Sequence, residues 1–146
     1  MLINKDFKEF IELLNENEVE YLIVGGYALA FHGYPRYTKD IDIWIKLEKT
    51  NAEKFLKALA AFGFSDLGIT IKDLTTLETV IQLGYPPNRI DILNDVDGLK
   101  FDECYSSKIE VEIMDVKVNF IDLENLKKNK RASGRNQDLA DLENLE

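Results

Sequence analysis

VGGYALAFHGYPRYTKDIDIWI, residues 24–45, is where the reading of this chain begins. Tyr21, Leu22, Ile23 and Val24 form a continuous apolar run that stops abruptly at Gly25 and Gly26. That is the pattern of a strand buried on both faces and closed by a tight turn. A helix over YALAFH, residues 27–32, is expected next, with Gly33 as its stop. A glycine pair between strand and helix leaves backbone N–H groups and the positive end of the helix dipole where a phosphate could sit. Glycine also permits positive φ and close approach of a ligand to the backbone. After the GYPR turn, residues 39–47 read KDIDIWIKL, with Ile41, Ile43, Ile45 and Leu47 recurring at a period of two, which predicts a second strand.

Asp40 and Asp42 fall on the opposite face of that strand. Residues i and i+2 project to the same side about 7 Å apart, so the two carboxylates converge on one place. Two such groups repel one another unless a cation lies between them. Trp44 continues the same face, so it is more than solvated surface. Asp91, flanked by Ile90 and Ile92 in RIDIL (89–93), stands in the same alternating context. If the two strands are neighbours, Asp40, Asp42 and Asp91 form a three-carboxylate cage. Oxygen-only ligands suit Mg²⁺ or Mn²⁺, and paired ions about 3.5–4 Å apart can clamp the attacking and leaving oxygens of a phosphoryl or nucleotidyl transfer.

Outward from this region, Phe7, Phe10, Ile11 and Leu14 predict an amphipathic helix over 5–16, capped by Asn4 or Asp6. Asn51 is expected to cap a helix carrying Phe55, Leu56, Leu59, Ala60 and Phe62 and ended by Gly63. Residues 64–77 carry no clear pattern. A strand is expected over 78–83, then the proline-containing turn 84–88, a helical turn over 101–107, and a hairpin from KIEVEI and VKVNFI around Met114 and Asp115. Asp122 is a plausible N-cap for the first of two final helices, divided by Gly134. The order predicts an α/β (α+β) chain with a small mixed β-sheet and flanking helices.

The 146 residues correspond to one domain over 1–146, with 45% apolar and 31% charged residues, the usual balance of a water-soluble fold. Eighteen basic against 27 acidic residues give a net charge of −9, which argues against a broad basic surface for nucleic acid. Lys127, Lys128, Lys130, Arg131 and Arg135 nonetheless cluster in nine positions, either a solvated helix face or a local contact for RNA or triphosphate. The single cysteine, Cys104, excludes an internal disulfide and a multi-thiolate zinc site, and reads as a buried apolar residue. His32, the only histidine, sits at an expected helix end, where a cap is the common role. No apolar run approaches the roughly 20 residues of a membrane span, and the opening residues lack a secretory signal. The expected location is the cytoplasm.

A Gly-Gly pair after a strand, thirteen intervening residues (27–39), Asp-Ile-Asp-Ile, and a later single Asp in an apolar strand together resemble the nucleotidyltransferase superfamily with the DNA polymerase β-like catalytic fold. Within it the chain is similar to the abortive-infection type nucleotidyltransferase toxins and related stand-alone proteins. The resemblance lies in GGYAL, in R-x-T-x-D-I-D at residues 36–42, and in NKRASGRNQDLADL at 129–142.

The resemblance implies an enzyme that moves NMP from an NTP to an acceptor hydroxyl and releases pyrophosphate, with Mg²⁺ or Mn²⁺. Gly25 and Gly26 would hold the triphosphate, and Arg36 and Lys39 would offset its charge. Asp40 and Asp42 would bind metal. Asp91 would complete the second metal site and help deprotonate the attacking hydroxyl. Lys130 would contact the nucleotide phosphates or the acceptor, oriented by Asp138 or Asp141. Many superfamily members carry Ser where this chain has Gly26, so the phosphate contact there would fall to the backbone. The toxin branch implies the 3′ end of a tRNA as acceptor and a cognate antitoxin as partner, although that branch commonly has an extra helical domain absent from this sequence. Small superfamily members instead modify a partner protein or an antibiotic, and a non-catalytic nucleotide-binding or protein-interaction module is the alternative from another class.

Overall fold

The computed structural model describes residues 3–34, 40–64, 67–85 and 87–145. Helix α1 spans Lys5–Glu16 and is capped by Asn4, whose side chain accepts from the Asp6 and Phe7 N–H groups. Strand β1, Tyr21–Val24, is buried at all four positions, as its unbroken apolar run requires. Helix α2, Gly25–Phe31, follows without a loop, and His32 caps its C-terminus before Gly33 turns left-handed at φ +93°. Strand β2 is Ile41–Ile45, shorter at both ends than the alternation over 39–47 suggests.

Helix α3, Lys49–Ala61, begins before Asn51. The expectation that Asn51 caps it is corrected, because its side chain looks backward along the chain. Asn51 Oδ1 accepts from the Glu20 N–H at 2.8 Å, and Nδ2 donates to the Glu20 and Lys46 carbonyls at 3.1 and 3.2 Å. The buried amide thereby ties the entry of β1 to the exit of β2. Helix α4, Ile71–Thr75, occupies the stretch that showed no pattern and is opened by a Thr70–Asp73 capping box. Strands β3, Val80–Leu83, and β4, Ile90–Leu93, flank the proline-containing turn. Helix α5 is Phe101–Ser106. Strands β5, Ile109–Ile113, and β6, Val116–Phe120, form the expected hairpin, with Met114 and Asp115 at φ 53° and 67°. Two consecutive left-handed residues match the right-handed strand twist of a tight hairpin. Helices α6, Leu123–Ser133, and α7, Asn136–Leu145, are separated by Gly134 in a left-handed C-cap.

The six strands form one mixed sheet in the order β3-β4-β2-β1-β6-β5. β1 is antiparallel to β2 and parallel to β6, while β2 is parallel to β4. Ile41, Ile43 and Ile45 share the buried core with Phe10 of α1 and Phe55 of α3, whose rings meet edge-on at 6.1 Å. On the alternate positions, Trp44 is buried and meets Phe101 of α5 edge-on at 5.1 Å. Beyond Trp44 that row of side chains changes from apolar to acidic at Asp42 and Asp40. Cys104 is buried, and desolvation pushes its thiol up to about 11, as a packing role requires. Among the described residues, no helix is long and apolar enough to cross a membrane.

Candidate active site

Asp42 is placed by two neighbours. The antiparallel register sets it against Val24, at the end of β1, and the parallel register sets it directly opposite Asp91 on β4. Directly paired residues on neighbouring strands present their side chains to the same face, so the two carboxylates emerge side by side. Gly25 makes room for the first of them. Its φ is +66°, and a Cβ built there would fall 2.2 Å from Asp42 Oδ2 and 3.0 Å from Cγ. Only a residue without a side chain can both turn left-handed and let the carboxylate lie against the turn. Gly26 is buried within α2.

The cation demanded by clustered carboxylates comes from the chain itself. Arg89, just before β4, donates from Nη2 to Asp40 Oδ2 at 2.6 Å. It also forks onto Asp91, with Nε to Oδ1 at 3.0 Å and Nη2 to Oδ2 at 3.1 Å. Its carbonyl accepts from the Ile41 N–H at 3.2 Å, pinning the arginine backbone beside Asp40. Hydrogen bonding to Asp91, reinforced by the charges of Asp91, Asp40 and Asp42, raises the guanidinium pKa against the opposing effect of desolvation. All three acids picked from the sequence therefore act on one point. Burial and the charge of Asp40 likewise push the Tyr27 phenol up.

A cleft of about 380 Å³ opens from Gly25 and Asp42 toward Leu93, Asp95, Asn129 and Arg135. α6 reaches it through a close approach. A Cβ on Gly98, at φ +77°, would meet Ala132 Cβ at 2.4 Å, and Asn129 Nδ2 donates to the Asp97 carbonyl at 3.1 Å. Lys130 is not among the residues lining the cleft and is buried in the contact between α6 and α7. Its side chain is only 4% exposed, with Nζ 3.2 Å from Asp138 Oδ1 and 3.0 Å from Asp141 Oδ2. Desolvation alone would raise the Asp138 pKa. The Ser133 hydroxyl and the charges of Lys130 and Arg135 outweigh it and hold the carboxyl below its usual value.

The structure thus brings together Gly25, Asp40, Asp42 and Asp91. It places Lys130 with Asp138 and Asp141, the pairing the resemblance implies, and not among the residues that line the cleft. Arg36 and Lys39 lie outside the described residues. His32 is structural, its Nε2 lying 2.7 Å from the Ile121 carbonyl oxygen. Sequence reasoning missed Arg89 and the cleft residues Asn129 and Asp95. For Arg89 the signal was present, since it stands two residues before Asp91 in an alternating strand and so on the same face.

Carboxylate oxygens are the donor chemistry Mg²⁺ and Mn²⁺ prefer. The residues fit such an ion, because Asp40 and Asp91 already converge on a cation with Asp42 in its field. Among the described residues, no three acidic, histidine or cysteine side chains are gathered closely enough to hold a metal as they stand. The point of convergence is taken by the guanidinium.

A glycine turn closing a buried strand, with acids on the next two strands of a mixed sheet, is the arrangement of the nucleotidyltransferase fold. Two crystal structures share the fold. One is of a Thermotoga maritima protein designated a nucleotidyltransferase, 18% identical with a TM-score of 0.66, the match covering 94% of this chain and 88% of that one. The other is of an antigenic nucleotidyltransferase-like protein from Paracoccidioides brasiliensis, 17% identical with a TM-score of 0.54, covering 99% and 78%. No functionally curated protein matches significantly. The chain belongs to the family described as nucleotidyl transferase of unknown function (DUF2204), whose sequence profile matches residues 3–146.

Proposed function

We propose that the protein transfers NMP from an NTP to an acceptor hydroxyl, with release of pyrophosphate, in a reaction that depends on Mg²⁺ or Mn²⁺. The observation that carries this reading is the register of Asp42 opposite Asp91, with Asp40 and Asp91 joined through one guanidinium and Asp42 lining a cleft. The cleft is itself acidic, with Asp42, Asp95 and Asp97 facing Arg135. A triphosphate could not remain there without added positive charge. Asp40, Asp42 and Asp91 would hold the divalent ions. Bound there, the metal supplies charge neutralisation to the triphosphate and the leaving pyrophosphate.

The chain's own residues position and move the proton. Gly25 and Gly26 let the triphosphate approach the backbone N–H groups that open α2, where no side chain caps the helix. Asp91, next to the incoming hydroxyl, accepts its proton as the oxygen attacks the α-phosphorus and the bond to pyrophosphate breaks. Arg36 and Lys39 contribute charge toward the phosphates. A contact from Lys130 to phosphate would require its ammonium to leave both Asp138 and Asp141, so its proposed contribution is to fix α6 and thereby Asn129 and Arg135 at the cleft.

The acceptor proposed first is a tRNA 3′ end, which would give a toxin-like enzyme controlled by a cognate antitoxin. Lys128, Arg131 and Arg135 are exposed on or just after α6, with Arg135 lining the cleft, and offer phosphate contacts. A second reading, a partner protein or small-molecule hydroxyl, is favoured by the net charge of −9 and the acidic cleft. The test incubates the protein with each α-labelled NTP, Mg²⁺ or Mn²⁺, and separate pools of tRNA and cell protein, with Asp42→Ala as control. Label that appears in one pool and vanishes in the control supports the reading and identifies the acceptor class. Equal labelling by the control overturns it, and nucleotide binding with no label in either pool overturns the tRNA acceptor in favour of a small-molecule acceptor or a non-catalytic module. An RNA acceptor should bind with steep salt dependence, a small molecule without it.

A further inference from the structure

Arg89 is not among the groups that the nucleotidyl transfer reading uses, yet it makes three hydrogen bonds to two of the three carboxylates on which that reading depends. Its side chain is 28% exposed and Asp91's 11%, so the group stands at the opening of the site rather than deep within the fold. Guanidinium and divalent metal compete for the same lone pairs. The fork on Asp91 uses both carboxylate oxygens, and Nη2 spends its second contact on Asp40 Oδ2. A metal held by Asp40 and Asp91 would need these oxygens. We propose that Arg89 is a resident cation of the carboxylate centre, and that a divalent ion enters by displacing its guanidinium from Asp40 and Asp91.

This inference rests on the assignment of Asp40, Asp42 and Asp91 as metal ligands. It explains how the three acids stay together without metal, since the guanidinium screens a repulsion that would otherwise drive them apart. It also gives Arg89 a positioning role. The arginine keeps the ligands near their working arrangement and sets the metal concentration at which the site fills. Arg89→Gln removes the competitor while keeping a polar side chain of similar reach. Arg89→Lys keeps a positive charge but loses the planar fork, so it should fall between the two.

The experiment titrates the full chain with Mn²⁺ alone, reading free Mn²⁺ by electron paramagnetic resonance and, in parallel, the thermal midpoint with and without Mn²⁺. Arg89→Gln is expected to bind Mn²⁺ about tenfold more tightly than the unaltered chain, with Arg89→Lys intermediate. Its thermal midpoint should be lowered without metal and restored by Mn²⁺. Adding Asp42→Ala to Arg89→Gln should remove the gain. Equal or weaker Mn²⁺ binding by Arg89→Gln, or a stability loss that Mn²⁺ does not restore, overturns the inference and leaves Arg89 a structural ion pair. Absence of Mn²⁺ binding by both the unaltered chain and Arg89→Gln overturns the metal-dependent function itself, so the two failures are distinct.

Discussion

Replacing Gly25 by alanine tests the packing that places Asp42. Two costs are added by one methyl group. A non-glycine residue at φ +66° carries a left-handed penalty of about 1–2 kcal/mol. The new Cβ would also fall 2.2 Å from Asp42 Oδ2, an impossible approach. The carboxylate is the far end of a rotatable side chain, so it swings aside rather than moving the strand, at about 0.5–1.5 kcal/mol for an off-rotamer position. The sum is about 1.5–3.5 kcal/mol, or roughly 5–12 °C in thermal midpoint for a chain of this length. The two parts separate in a double-mutant cycle. Asp42→Ala removes Oδ2 and Cγ and leaves only the 3.2 Å approach to its Cβ. In that background Gly25→Ala should therefore cost only about 1–2 kcal/mol. Urea denaturation followed by the fluorescence of Trp44, the single buried tryptophan, supplies the measurement. An equal cost in both backgrounds would show that Asp42 does not lie against the turn. A cost near zero in the unaltered background would refute the left-handed geometry as well.

Other perturbations address the surrounding framework. Lys130→Met should destabilise by about 3–5 kcal/mol, because it strands two buried carboxylates; adding Asp138→Asn and Asp141→Asn should restore most of the loss in urea melts, and a triple variant no better than the single one contradicts that cause. The depressed Asp138 pKa contributes stability that is complete above the unfolded value, 3.8, and is lost as pH falls through the lower folded value. Denaturation midpoints should accordingly drop below about pH 4, and Asp138→Asn should shrink that drop; an unchanged acid limb would remove Asp138 from the account. Asn51→Ala leaves the Glu20 N–H and the Glu20 and Lys46 carbonyls short of a partner and should cost about 1–3 kcal/mol, measurable by the same denaturation. A neutral Asn51→Ala would mean that water replaces the amide.

What could be read from the sequence was local. Asn4, the apolar spacing after it and the break at Asn17 delimit α1, and the unbroken run of β1 announces a strand covered on both sides. The two-residue turn at Met114 and Asp115 does the same for the hairpin. Strand order is different, because β4 pairs with β2 and β6 with β1 across long intervals that no local pattern encodes. Asp91 could be recognised as a candidate, but its placement opposite Asp42 depends on that pairing. Asn51 misled for a related reason: a residue type that commonly caps helices was read against its own helix, whereas its partners are the backbone at Glu20 and Lys46. For Lys130 the signal existed, since it follows Leu126 by four residues and shares the inward face of α6, where a lysine must bring acids with it. Thr70 and Asp73 were likewise a legible start for α4.

The sheet order also governs how the molecule can be made. β1 and β2 leave the ribosome early, yet each remains open along one edge until its other neighbour is synthesised. Arg89 meets Asp40 across 49 positions of chain, and Ile121 reaches Ile23 only after the hairpin is complete. Such long-range pairings form slowly because much of the chain must be ordered before they form. A nascent chain stopped before β4 therefore lacks the assembled carboxylate centre, and one stopped before β6 exposes an apolar central strand to aggregation.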